Sequence, residues 1–191
     1  MPTPDNKLII IAAPSGSGKT SITRHLLSTF PDRLAFSISA ATRQPRPYEV
    51  DGRDYYFLPV ETFREKISNN EFAEWEMVYE GKYYGTLRSE LERIWQEGKA
   101  PLLDVDVKGG IHIQRQYRES SLSLFIEPPS IQELEKRLKA RGTETEESLR
   151  LRINKASYEL SFHNQFDHII VNDKLEDACA EAEDLVRKFL H

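Results

Sequence analysis

The stretch KLIIIAAPSGSGKTSITRHLL, residues 7–27, decides the fold. Its first part is apolar throughout and rich in β-branched residues, the mark of a strand buried on both faces, as in a parallel sheet. From Lys19 onward, Ile22, Leu26 and Phe30 recur at helical spacing. Between the two lies a turn carrying Gly16 and Gly18. Strand, glycine loop and helix around G-x-x-x-x-G-K-[ST] make a phosphate cradle. Successive backbone N–H groups point into one concavity, and the helix N-terminus adds partial positive charge. The pattern asks for glycine at position 13, and this chain has Ala13. The close approach and the unusual φ angles fall to Gly16 and Gly18. Position 13 is the turn out of the strand, where one methyl group is a small perturbation. A decayed loop would sooner lose Lys19 or Gly18. The candidate phosphate-binding residues are therefore Ala13, Pro14, Ser15, Gly16, Ser17, Gly18, Lys19, Thr20 and Ser21. Lys19 suits the β/γ phosphates of a nucleotide, and the Thr20 hydroxyl suits a direct Mg²⁺ ligand. The loop alone does not say which nucleotide is bound or what receives a phosphate.

Outward from the loop, apolar runs alternate with helical patterns. LAFSIS (34–39) reads as a second strand. Residues 43–60 change character: three prolines, an Asp-Gly pair and alternating aromatics predict turns and short antiparallel strands. ETFREKISNN predicts a short helix with Thr62 and Glu65 as a capping box, and EFAEWEMVYEGKYYG has strand alternation. Residues 40–85 thus read as a small mixed insertion. The rhythm then resumes: a helix in TLRSELERIWQEG, a strand in APLLDVDV, a helix in KGGIHIQRQY and a strand in SLSLFIEPP. Ser130 with Glu133 signals a helix start, and after the polar break ARGTETEESLR a longer helix aligns Leu149, Ile153, Ala156 and Leu160. FDHIIVND is a last strand, and a last helix is marked by Asp173 and Glu176. The expected fold is α/β, a P-loop NTPase-type parallel sheet flanked by helices with an inserted α+β subdomain.

The bulk numbers narrow the partners. A chain of 191 residues suits one domain, and 39% hydrophobic content supplies a core. A net charge of −5 gives no global basic field for nucleic acid or membranes, so any anionic ligand must be held by local Arg and Lys clusters. The one cysteine, Cys179, builds neither a disulfide framework nor a Cys-based zinc site. His25, His112, His163, His168 and His191 show no metal-ligand spacing. The longest apolar run, LIIIAAP, is too short to span a bilayer, and MPTPDNK has no signal-peptide core. A soluble, cytoplasmic protein is the expectation, with homo-oligomerisation left open.

At SAATRQPRPYEVDGRDYYF the chain resembles guanylate kinases. The likeness continues, in order, through FAEWEMVYEGKYYGT, LLDVDVKGG, RLKARGTETEESLRLR and IIVND. This resemblance implies Mg-dependent transfer of the ATP γ-phosphate to GMP. It implies a core of about 1–39, 86–136 and 160–191, a GMP-binding insertion of about 40–85 and a helical lid of about 137–159. The residue chemistry agrees. Arg43 and Arg46, three apart in a proline-stiffened segment, offer two forked donors to one phosphate, and Tyr55 and Tyr84 could add phenolic donors. A solvated basic turn and amphipathic core tyrosines are the plainer readings of the same residues. Glu74 is the candidate base reader, because guanine presents adjacent N1–H and N2–H donors to two carboxylate oxygens. Ser39 and Thr86 can complete the base pocket.

Asp104 and Asp106 lie two apart on a predicted strand, with both carboxylates on one face near its C-terminal end. One could hold Mg²⁺ through water or orient Lys19, and the other could approach the nucleoside; capping of the next helix is the alternative. By resemblance Arg137, Arg141 and Arg152 belong to the lid and close over the ATP phosphates, with Lys19, Arg43, Asp104 and Asp106 completing the catalytic set. Asn172 is expected near the adenine, with capping by Asp173 as a competing use. Ala13, Ala40–Ala41 and Thr86 depart from the commonest family pattern. A kinase-like interaction module that uses the GMP cleft for a phosphopeptide, and a kinase with another monophosphate or sugar phosphate as acceptor, are the alternatives. The intact Lys19 argues against the first and the Ser39–Glu74 pair against the second. No residue is clearly aimed at a ribose 2′-hydroxyl, which leaves GMP and dGMP both open.

Overall fold

The computed structural model describes residues 6–140 and 145–191. Its centre is a five-stranded parallel sheet made of β1 (Leu8–Ala12), β2 (Leu34–Phe36), β7 (Ala100–Asp104), β8 (Ser121–Glu127) and β9 (His168–Val171), in the order β2-β7-β1-β8-β9. β1 is fully buried. Because side chains alternate along a strand, Ile9 and Ile11 enter the core on one face and Leu8 and Ile10 on the other. On the first face α1 (Lys19–Thr29) and α7 (Leu175–Leu190) contribute Ile22, Leu26, Ala182 and Val186. On the second, α3 (Arg88–Gln96) and α4 (Val107–Gln116) contribute Leu91, Ile113, Val107 and Ile111. Covering both faces is what parallel strands require. Strand order diverges on either side of β1, which leaves a crevice at the C-terminal strand ends, where open α/β sheets bind ligands.

A second sheet, in the order β4-β3-β6-β5, joins β3 (Ala40–Ala41), β4 (Tyr56–Phe57), β5 (Phe72–Tyr79) and β6 (Lys82–Leu87). α2 (Val60–Ser68) covers one of its faces, where Phe63 stacks on Phe72 and Tyr83 at 4.2 and 5.4 Å between ring centres. α5 (Ile131–Ala140) and α6 (Glu146–Leu160) pack on each other through Leu134, Leu138, Leu149 and Ala156.

Several local expectations shift. LAFSIS is a strand only to Phe36, because the Ile38 N–H is taken by the Glu90 side chain at 3.0 Å and the chain leaves the sheet. β4 pairs with β3 in parallel, not antiparallel, since the proline-rich segment loops round and returns in the same direction. α2 begins at Val60 after Pro59, whose φ of −57° already fits a helix, so Thr62 lies inside the helix and caps nothing. Asp173 stands one residue too early to cap α7, whose N-cap is Lys174. Ser130 does cap α5, its hydroxyl accepting from the Glu133 N–H at 3.1 Å. Among the described residues no helix is long and apolar enough to cross a membrane.

Candidate active site

The phosphate loop leaves β1 at its C-terminal end. Ala13 is 7% exposed and packs into the core beneath the sheet, so its methyl group faces apolar neighbours. Gly16 and Gly18 have φ of +96° and +92°, the left-handed region that side chains resist. A Cβ on Gly18 would also stand 2.1 Å from Asn172 Nδ2. Gly18 is the N-cap of α1, which follows at Lys19 and aims its N-terminus into the crevice. The Lys19 ammonium donates to the Val105 carbonyl at 2.9 Å and pairs with Asp104 Oδ1 at 2.5 Å. It is thereby held at the end of β7. Thr20, next on the helix, is exposed.

The two aspartates divide. β7 ends at Asp104, so the pair does not share one strand face as expected. Asp106 has turned out of the strand to cap α4, Oδ1 accepting from the Gly109 N–H at 2.7 Å. Both nevertheless line the crevice. Helix capping and a place at the site are compatible, because the cap occupies one carboxylate oxygen.

Opposite the loop stands the second sheet. Glu74 in β5 lies across the ladder from Thr86 in β6, whose hydroxyl donates to Glu74 Oε1 at 2.8 Å. Glu74 is 8% exposed. Burial pushes its carboxyl up to about 7, with the Thr86 hydrogen bond pulling the other way and Asp106 adding a further push. Its Oε2 lies where the Gly109 backbone comes closest, a Cβ there falling 2.8 Å away. Thr86 thereby orients the Glu74 carboxylate.

Ser39, Tyr55, Glu74, Tyr84, Lys19 and Arg152 line one cavity of about 630 Å³ with the phosphate loop. Tyr55 meets Tyr84 edge-on at 6.1 Å, and the Arg43 guanidinium lies 4.8 Å above the Tyr55 ring and 5.4 Å from that of Phe57.

The arginines depart from the expectation of two open forks. Arg43 directs Nη1 and Nη2 at Glu49, at 2.5 and 2.6 Å, and those bonds hold the Glu49 carboxyl down at about 2. Arg46 is exposed, with Nη1 3.3 Å from the Tyr48 hydroxyl. Neither wall of the cavity includes them. Arg137 in α5 donates to the Asn172 carbonyl at 2.9 Å, tying α5 to the loop after β9. Asn172 sits behind the phosphate loop, not on the cleft wall: it is 5% exposed and its Nδ2 donates to the Ser17 carbonyl at 2.7 Å. Arg152 does reach the loop, donating to the Ser15 hydroxyl at 3.1 Å. Arg141 lies outside the described residues.

Among the wall residues that were not anticipated, Lys155 and Glu159 belong to α6. With Arg152 they recur at i, i+3 and i+7, a polar face beside the Leu149–Ile153–Ala156 stripe. That spacing was the available signal. Burial raises the Glu159 carboxyl above its ordinary value. Among the described residues no three His, Cys, Asp or Glu side chains converge as a metal cage.

Comparison with known proteins agrees with this geometry. A family model described as guanylate kinase matches residues 5–189. A guanylate kinase of Bacteroides thetaiotaomicron is 50% identical over 185 residues, covering 97% of this chain and 90% of that protein. One from Thermotoga maritima is 41% identical over 181 residues, covering 95% and 86%. The crystal structure of guanylate kinase from Anaplasma phagocytophilum superposes with a TM-score of 0.72 at 28% identity, over 95% of this chain and 85% of that one. A phosphate loop facing a buried carboxylate across one cavity, and relatives that share nearly the full length, lead to one conclusion: the chain belongs to the guanylate kinase family.

Proposed function

We propose that the protein transfers the γ-phosphoryl group of ATP to GMP, giving ADP and GDP. The observation that carries this reading is the shared cavity, with Lys19 and the loop on one side and Glu74, Ser39, Tyr55 and Tyr84 on the other. A phosphate oxygen of GMP attacks the γ-phosphorus, the bond from that phosphorus to the β–γ bridging oxygen breaks, and ADP leaves. The protein supplies position and charge.

In this reading the loop amides and Lys19 hold the β/γ phosphates, and Asp104 keeps the ammonium aimed. Glu74, oriented by Thr86, accepts from guanine N1–H and N2–H, and Ser39 and Asp106 close the nucleoside pocket. Tyr55, Tyr84 and Arg43 receive the GMP phosphate. Arg43 keeps its Nε edge for this while Glu49 occupies the other, and Arg46 swings in from solvent. Residues 40–85 form the GMP-binding part, 137–159 the lid carrying Arg137, Arg141 and Arg152, and 1–39, 86–136 and 160–191 the core. Closing the lid excludes water that would hydrolyse ATP.

Mg²⁺ suits the donor set. The ion generally keeps most of its waters and needs few protein oxygens beside the nucleotide phosphates, and the exposed Thr20 hydroxyl and the Asp104 carboxylate are the residues that would hold it. When bound, it neutralises charge on the β- and γ-oxygens.

Product analysis with ATP and a panel of monophosphates tests the proposal. GDP formed from GMP, with AMP, CMP and UMP poor acceptors, is the expected result. GMP binding without ADP release would overturn it in favour of a binding module.

A further inference from the structure

Glu90, in the first turn of α3, is a buried charge that the cleft does not use. Its side chain is 1% exposed. Oε1 accepts from the Ile38 N–H at 3.0 Å and from Arg93 Nη2 at 2.9 Å. Oε2 accepts from the Tyr56 hydroxyl at 2.8 Å and from Arg93 Nε at 3.0 Å. Four bonds, two per oxygen, saturate a carboxylate. Burial alone would push its pKa up, but these donors outweigh burial and keep it below the ordinary carboxylate value.

The partners belong to different parts of the molecule. Ile38 is where the chain leaves the parallel sheet for the second sheet, Tyr56 is in β4, and Arg93 lies one turn along α3. Each of the first two adjoins a residue of the cleft wall: Ser39 follows Ile38 and Tyr55 precedes Tyr56. The Tyr56 N–H also donates to the Ser39 carbonyl at 2.9 Å. α3 in turn continues directly from β6, which carries Thr86, the partner of Glu74. One carboxylate thus connects the Ser39–Tyr55 wall to the segment that orients Glu74.

We propose that Glu90 is a positioning residue for the acceptor nucleotide, fixing Ser39 and Tyr55 relative to Glu74 through its bonds to Ile38 and Tyr56. An apolar residue would fill the same space at less desolvation cost but would set no direction. The inference rests on the reading of the cleft as an ATP:GMP phosphotransfer site, and predicts that Glu90 acts on one substrate only.

The test is steady-state kinetics for both substrates, with GMP titration by calorimetry, on wild type, Tyr56→Phe and Glu90→Gln. Tyr56→Phe removes one hydroxyl and leaves the Glu90–Arg93 pair intact. It is expected to raise the KM and Kd for GMP about fivefold, what one hydrogen bond is worth, with the KM for ATP and kcat within about twofold. Glu90→Gln should shift the same constants further in the same direction. A lowered Tm with unchanged GMP constants in Tyr56→Phe, or equal shifts for GMP and ATP, would overturn the proposal by making the network purely structural. Should Glu90→Gln fail to fold, Tyr56→Phe decides alone. A wild type that binds GMP but does not turn it over would overturn the reaction and leave the calorimetric comparison to judge Glu90.

Discussion

Glu74 shows how a single residue's surroundings become chemistry. The buried carboxyl titrates near 7, so its ionised form gains on the neutral form as pH rises through that value. Only the ionised form accepts from both guanine donors, so kcat/KM for GMP should climb between about pH 6 and 8, and Glu74→Gln should flatten that limb. The same raised value makes the folded state hold a proton that the unfolded state has released. Stability therefore falls as pH rises from the ordinary 4.5 toward 7, a slope that Glu74→Gln removes and that thermal melts across this range would read. Glu74→Gln should also cost about a hundredfold in kcat/KM for GMP, by leaving a buried donor against a donor, with the KM for ATP nearly unchanged. Equal losses for both nucleotides would remove Glu74 as base reader. For Lys19→Ala the expected loss is about 10²- to 10³-fold in kcat with the circular-dichroism spectrum preserved. At this scale the sequence supplied candidates where a residue type matched a ligand's donor pattern, as with Glu74 and Lys19, and both line the cavity. It allowed an aspartate to orient Lys19 and another to cap the next helix, but it was silent on longer-range partners of the other site residues. Glu49 filling the Arg43 fork, and Asn172 donating to the Ser17 carbonyl behind the phosphate loop, depend on contacts that no local spacing encodes.

Among elements, the junction of α4 with β5 is the informative one. Gly109, in the first turn of α4, lets the helix backbone approach Glu74; a Cβ would lie 2.8 Å from Glu74 Oε2 and 3.1 Å from Asp106 Oδ1. Gly109→Ala favours the helix by about 1 kcal/mol in propensity alone, yet must displace the Glu74 carboxylate. The expected outcome is a KM for GMP raised about tenfold or more with an undiminished Tm, since small misplacements at a reacting site cost heavily. An unaltered KM would show that Glu74 can relax. Strands and helices were legible where an unbroken apolar run marked a buried strand, as in β1, or a helical period dominated, as in α1 and α6. The parallel pairing of β3 with β4 was not, because two-residue strands carry no period and their direction is set by the path of the intervening loop.

At the scale of the whole molecule, the proposed donor and acceptor sides belong to separate sheets that face one cavity. A ligand touching both should stabilise more than two ligands each touching one. An adenosine–guanosine dinucleotide joined by a polyphosphate bridge is accordingly expected to raise Tm beyond the sum of the shifts from ADP and GMP alone, by mass action on the folded state. A shift no larger than that of ADP would mean the two walls do not act together. The general architecture followed from the alternation of strand and helix patterns; the meeting of α6 with the loop through Arg152 and Ser15 did not, being a contact between segments 137 positions apart. A still longer reach has a consequence for biosynthesis. The loop near the N-terminus takes its brace from Asn172, 155 positions downstream, which arrives only when β9 docks as the outermost strand. A nascent polypeptide emerging from the ribosome therefore carries the glycine-rich motif long before it can grip a triphosphate, and premature termination ahead of β9 should release chains blind to nucleotide.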